Sequence, residues 1–320
     1  MSTPRSARPW LGWPALMVLG LGALVAGHWY VYHGGDRELA RWIYQRGRFV
    51  LMIATLITGL LGASLSMVRG RFGGAWHFAG VVLMLAVVFG APIPFAYPSS
   101  RESQPVTPPL SLPVQGTWRV LAAGHGGSNP LVLEPQRCWG VLLAREEAGL
   151  RFRPGALDQV DSTGSFTFGS PVEAPAAGEV VRAVDGEADR SFQTREEGAT
   201  PLGNHIVLRL EGGEFLFLSH LQQGSALVRE GDRVTRGQAL ARVGSSGRGA
   251  PLTEPHLALY VSTSPEPGKG EGVPFTFDRY LSGGAVVTDR LPTGGMGGDG
   301  RVLGELIEAD GGSPGPGSGE

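Results

Sequence analysis

The sequence predicts a membrane-anchored chain: three transmembrane α-helices followed by an all-β domain of lipoyl- or hammerhead-like build. Long uncharged runs fill the first hundred residues, and short β-type runs separated by turn signals follow. A charge asymmetry divides the two. The first 100 of the 320 residues hold eight Arg against Asp36 and Glu38, a net +6, and the rest of the chain is −8. A basic, apolar front on an acidic body points to a membrane anchor and away from a nucleic-acid binder.

No charged residue lies between Arg8 and Asp36, between Arg48 and Arg69, or between Arg71 and Arg101. These gaps predict helices over about 10–32, 49–68 and 76–97 within a membrane domain of residues 1–97. Each run reaches the ~20 apolar residues needed to cross ~30 Å of hydrocarbon. Trp10, Trp29, Tyr30, Trp76 and Tyr97 stand near their ends, where amphipathic rings favour the interface. Three such runs in tandem exceed any secretory signal. His28 and His77 have no acidic neighbour in sequence and read as interfacial or packing residues. Basic residues on the two sides of the membrane nearly tie, so charge alone leaves the orientation open. "DRELARWIYQRGR" reads as a short amphipathic helix along one interface.

Residues 98–116 are rich in Pro and Ser and predict an extended linker. From 117 to 283 the runs "WRVLAAG", "PVEAPAAGEVVRAV", "NHIVLRLEGGEFLFLSHL" and "PHLALYVS" predict strands, with "EGGE" as a hairpin turn. Residues 284–320 are Gly-, Pro- and acid-rich, and predict a disordered tail in which "RVLGELIEA" forms a short helix on contact with a partner. Cys138 is the only cysteine, so no intrachain disulfide forms; beside Trp139 it reads as a small buried hydrophobe.

The most informative local pattern pairs "VEAPAAGEV" (172–180) with "VREGDRVTRGQALARVGSSG" (228–247). Gly178, Gly231 and Gly237 supply the tight turns, and Val and Leu positions fill the core. Covalent cofactor carriers use the same unit but display a lysine at a hairpin tip. The single lysine, Lys269, lies outside it in "PGKGEG", which disfavours a carrier.

Together "GSPVEAPAAGEVV", "GNHIVLRLEGGEFLFLSHLQQGS", "VREGDRVTRGQALARVGSSGR" and "TEPHLALYV" resemble the core of the M23 (LytM- or lysostaphin-like) zinc metallopeptidases. "GTWRVLAAGHGGSNPLV" resembles the opening strand of one subgroup. The resemblance implies a zinc held by a His and an Asp from a first motif and by the second His of a His-x-His. It also implies two further histidines as base and oxyanion stabiliser, and a water made acidic by the metal. On these motifs His220 of "FLSHL" and His256 of "PHLAL" take the assisting positions, and Ala258 stands where the second His of His-x-His would bind zinc. Asp158 of "ALDQVD" matches the family Asp; a rival alignment of "QRCWGVLL" places Val141 there instead. Glu134 and Pro135 occupy the place of the first-motif histidine, and His125 lies nine residues too early to replace it. His205 of "GNHIV" reads as a strand surface residue.

With ligand positions substituted, the resemblance implies a zinc-less, non-catalytic M23-family protein of the cell envelope. It would sit in the bacterial cytoplasmic membrane with its β-domain exoplasmic, binding peptidoglycan or regulating a wall hydrolase or another envelope protein. The alternative is an active zinc endopeptidase that cleaves peptidoglycan cross-links, with Asp158 and Glu134 among substituted ligands.

Overall fold

The computed structural model describes residues 12–124, 129–154, 162–190, 200–248, 254–295 and 304–309. The chain divides into two units, Met1–Pro98 and Ser99–Glu320.

In the first unit the apolar runs form α1 (Gly12–His33), α2 (Arg37–Trp42), α3 (Arg48–Val68) and α4 (Gly74–Gly90). Asp36 caps α2, accepting from the Leu39 amide at 3.1 Å. A π turn over Ile43–Gly47 joins α2 to α3 without a break. The stretch expected as a separate interfacial helix is therefore the base of a longer one. Small residues let the helices approach: a Cβ on Gly62 or Gly80 would overlap Trp13, and one on Gly59 would overlap Met84. Trp13, Met17 and Met84 form the centre of the packing, whereas Leu19, Leu61 and Phe78 are exposed.

Among the described residues two helical stretches, Gly12–His33 and Arg37–Val68, are long and apolar enough to cross a membrane. The third, expected over 76–97, stops at Gly90 after 17 residues. Pro92 and Pro94 explain the early stop, because proline lacks the amide a helix needs and restricts the residue before it. The following segment is held by side chains instead: Tyr44 Oη donates to Phe95 O at 2.6 Å, and Arg37 to Pro98 O at 2.8 Å.

The second unit is built from antiparallel strands: β1 (Thr117–Ala122), β2 (Val141–Arg145), β3 (Pro171–Glu173), β4 (Gly178–Val184), β5 (Asn204–Arg209), β6 (Phe215–Leu221), β7 (Arg233–Val234), β8 (Ala239–Arg242), β9 (Leu257–Ser262), β10 (Gly272–Val273), β11 (Phe277–Ser282), β12 (Ala285–Arg290) and β13 (Leu306–Glu308). One sheet runs β12-β11-β13-β1-β2-β9-β6-β5-β4-β7 with β10 on β9, and β3 pairs with β8 apart from it. Alternation sorts the side chains: Leu216, Leu218, Leu257, Leu259 and Val261 enter the main core, and Phe217, Ser219, Ala258 and Tyr260 turn to the opposite face. That second face is buried too, and it carries the candidate site.

Two segments differ from expectation. Residues 98–116, read as a linker, pack onto the β-unit: Val106, Leu110, Leu112 and Val114 are buried in its core, and the Leu110 amide donates to Thr276 O at 2.9 Å. Alternating apolar positions within the Pro-rich run supply this contact. The segment 284–320, read as a tail, contributes β12 and β13; within its "RVLGELIEA" the residues Leu306–Glu308 form a strand instead of a helix. β13 lies between β11 and β1, pairing Leu306 with Arg119 and Glu308 with both Thr117 and Leu281. Backbone ladders need little apolar composition: among the described residues Ile307 is buried in the core, and Val287, Leu291 and Ala309 pack partly against it. Ile307→Val should lower stability by about 1 kcal/mol, read as a small fall in Tm of the full chain.

Candidate metal centre

The site forms where β6 ends and β9 begins. Between Asn204 and His205 the β5–β6 register shifts, so that His205 faces Ser219 and His220 becomes the extra, bulged residue. Its φ of 65° lies in the left-handed region, which is rare for a non-glycine residue. Hydrogen bonds hold it there: its amide donates to Leu202 O and its carbonyl accepts from the Gly244 amide. The bulge aims the imidazole at His256, with ring centroids 4.7 Å apart and planes at 56°.

Each ring is fixed by a backbone carbonyl. His220 Nδ1 donates to Ser246 O at 3.0 Å, His256 Nδ1 to Glu254 O at 2.8 Å, and His205 Nδ1 to Gly203 O at 2.7 Å. Donation from Nδ1 leaves Nε2 as a lone-pair acceptor. In His205 and His256 that atom is buried without a hydrogen-bond partner among the described residues. Burial pushes His256 down to about 4, assisted by Arg137 and opposed by the Glu254 carbonyl. His220 is held well below its ordinary value, by burial first and then by His256. Both imidazoles are neutral at neutral pH. His205, expected on a strand surface, is buried and is likewise lowered by burial; the bulge at His220 turns it to the inner face.

The expected ligand positions form no such polar group. Ala258 lies across from Leu142 on β2 and Ser219 on β6, and directly opposed residues share a face. Its methyl packs in an apolar cluster with Leu121, Ala122, Leu131, Leu142 and Ala144. Val141, the rival position for the family Asp, opposes Leu259 and enters the main core, on the other face. The position beside Ala258 is therefore Leu142, one residue later, which sequence reading missed; only the strand register identifies it. Glu134 is half-exposed and bound by Arg137, with Nε to Oε2 at 2.7 Å. Asp158 and His125 lie outside the described residues. Among the described residues no group of three His, Cys, Asp or Glu side chains is placed to hold a metal. Zinc needs thiolate, imidazole or carboxylate donors, so the described side chains around Ala258 do not fit it.

Cys138 is buried, and burial pushes its thiol up to about 12. It packs against Gly272.

Residues 163–269 match the family model described as Peptidase family M23. This stretch is an M23 domain. It spans β3 to β9, and so contains His205, His220, His256 and Ala258, while β1 and β2 precede it. No curated protein matches the chain.

Among solved structures, the chain is similar to a putative peptidase M23 from Pseudomonas aeruginosa, at 22% identity and a TM-score of 0.29, over 50% of this chain and 47% of that one. A zinc-containing peptidase from Vibrio cholerae is 21% identical with a TM-score of 0.26, covering 50% of this chain and 36% of that one. The catalytic domain of lysostaphin from Staphylococcus simulans is 19% identical with a TM-score of 0.28, over 51% and 86% of the two chains. This chain thus spans about half of the first and about a third of the second. The assignment rests on the family match.

Proposed function

We propose that the M23 domain is a zinc-less, non-catalytic module of the bacterial cell envelope that binds peptidoglycan or regulates a wall hydrolase. One observation carries this reading: Ala258 and its cross-strand neighbour Leu142 present hydrocarbon to each other where donors would be required. The proposed anchoring in the cytoplasmic membrane is supported by the length and apolar composition of α1 and Arg37–Val68. The 17 residues of α4 stand at the lower end of the ~17–25 that cross a bilayer. With α4 as a third crossing and the N-terminus inside, the M23 domain is exoplasmic.

A second reading, a zinc endopeptidase with substituted ligands, is favoured by the three imidazoles. Each donates Nδ1–H to a carbonyl and offers Nε2, the orientation that metal-binding histidines adopt. Metal analysis of the full chain, purified in detergent and dialysed against zinc-containing buffer, decides between them. Zinc well below one per chain is expected, together with co-sedimentation on isolated peptidoglycan. Zinc near one per chain, lost in a His220→Ala variant, would establish the second reading.

A further inference from the structure

Within the helical unit lies a cavity of about 580 Å³, inside the ~300–1,000 Å³ range of small-ligand sites. Its walls are apolar, with Leu24, Val31, Ile43, Leu51, Ile93 and Phe95 among them. The π turn over Ile43–Gly47 forms one side; such turns interrupt the regular helical ladder and recur at functional positions. Among the described residues Arg48 is the one Arg, Lys, Asp or Glu that lines it.

The guanidinium of Arg48 is held but not neutralised. Nη1 donates to Ile93 O at 3.0 Å, and the group lies 4.9 Å from the Tyr44 ring and 5.4 Å from that of Phe95. Its Nε is buried without a hydrogen-bond partner among the described residues. The two acids of this unit are engaged elsewhere: Glu38 with Arg41, and Asp36 at the cap of α2. A cation with an unused donor on an apolar cavity selects a ligand with a negative head and a hydrocarbon body. Beside it Tyr32 stacks on Phe95, and Tyr44 meets Phe95 and Tyr97 edge to face; tyrosines favour the headgroup level of a bilayer.

We propose that this cavity holds a membrane lipid with an anionic phosphate headgroup, the phosphate on Arg48 and the chain against the apolar wall. The site is independent of whether the M23 domain holds zinc. The test uses the full chain in detergent, offered equimolar phosphatidylglycerol and phosphatidylcholine, with retained lipid counted by native mass spectrometry. The expected result is about tenfold preference for phosphatidylglycerol, the scale of one charge-assisted contact. Arg48→Gln should remove that preference and Arg48→Lys should keep most of it. Arg46→Gln, on an exposed side chain outside the cavity, should leave it unchanged.

Equal retention of the two lipids by the unsubstituted chain would overturn the proposal, as would equal losses in the Arg46 and Arg48 variants. Displacement of the lipid by inorganic phosphate would reassign the site to the free anion and also overturn it. Gly90→Leu guards against misfolding of the Arg48 variants. A Cβ there meets only Leu24 Cδ2, at 3.6 Å, so the longer side chain fills the cavity without forcing the helices apart. Retention at the unsubstituted level in Gly90→Leu would place the lipid elsewhere.

Discussion

Ala258→His, the change that restores the family ligand, is expected to lower the Tm of the full chain and to bring no response to zinc. Ala258 is fully buried between Leu142 and Ser219. An imidazole there overfills a packed cluster, at about 1–3 kcal/mol. It also buries ring nitrogens among Leu121, Leu131 and Leu142, at about another 1–3 kcal/mol if they stay unpaired. The combined loss, about 2–6 kcal/mol, corresponds to a fall on the order of 5–20 °C for a unit of this size. Thermal scans with and without zinc provide the measurement. A metal that binds the folded state raises Tm by mass action, so a zinc-dependent rise in the variant would show that donors do converge on position 258 and would contradict the apolar surroundings described for it.

Acid should weaken the M23 domain between about pH 6.5 and pH 4. The folded state holds His256 at about 4, below its ordinary 6.5, and holds His220 low as well. Across that window the unfolded chain binds protons that the folded one refuses, so stability is complete above 6.5 and declines as pH falls toward the folded values. For His256 the gap is worth about 3 kcal/mol at ~1.36 kcal/mol per pH unit, and His220 adds in the same direction. Glu254, whose carboxyl is pushed up by burial, opposes this in part, because it takes up its proton more readily in the folded state. Denaturant titrations at pH 7 and pH 4.5 should show the loss, and His256→Gln should flatten the profile. An unchanged midpoint between the two pH values would mean that these rings are solvated.

What was legible in the sequence was local. Gly231 and Gly237 adopt positive φ, as the turn chemistry around them requires, whereas Gly178 opens β4, where a Cβ would meet Arg209 O; His220 and His256 come together as the motifs imply. What was not legible depends on register and on pairing between distant strands. A shift of one residue separates Val141 in the core from Leu142 beside Ala258, because successive strand residues point to opposite faces. The burial of His205 depends on a bulge fifteen residues away in the chain, at His220, which no local pattern announces. The end of α4 was written in Pro92 and Pro94, but hydropathy obscured it, since both prolines sit within an apolar run.

The placement of β13 bears on biogenesis. Thr117 pairs with Glu308, so the middle of the large sheet stays open until about 190 further residues have been made. At ~5–20 residues per second that delay is roughly 10–40 s. Throughout it the β13 side of β1 is unpaired, and an unpaired edge invites association with other chains. Closure of the sheet therefore comes late, which makes shielding of the nascent β1 edge a requirement that β13 imposes on the strands made before it.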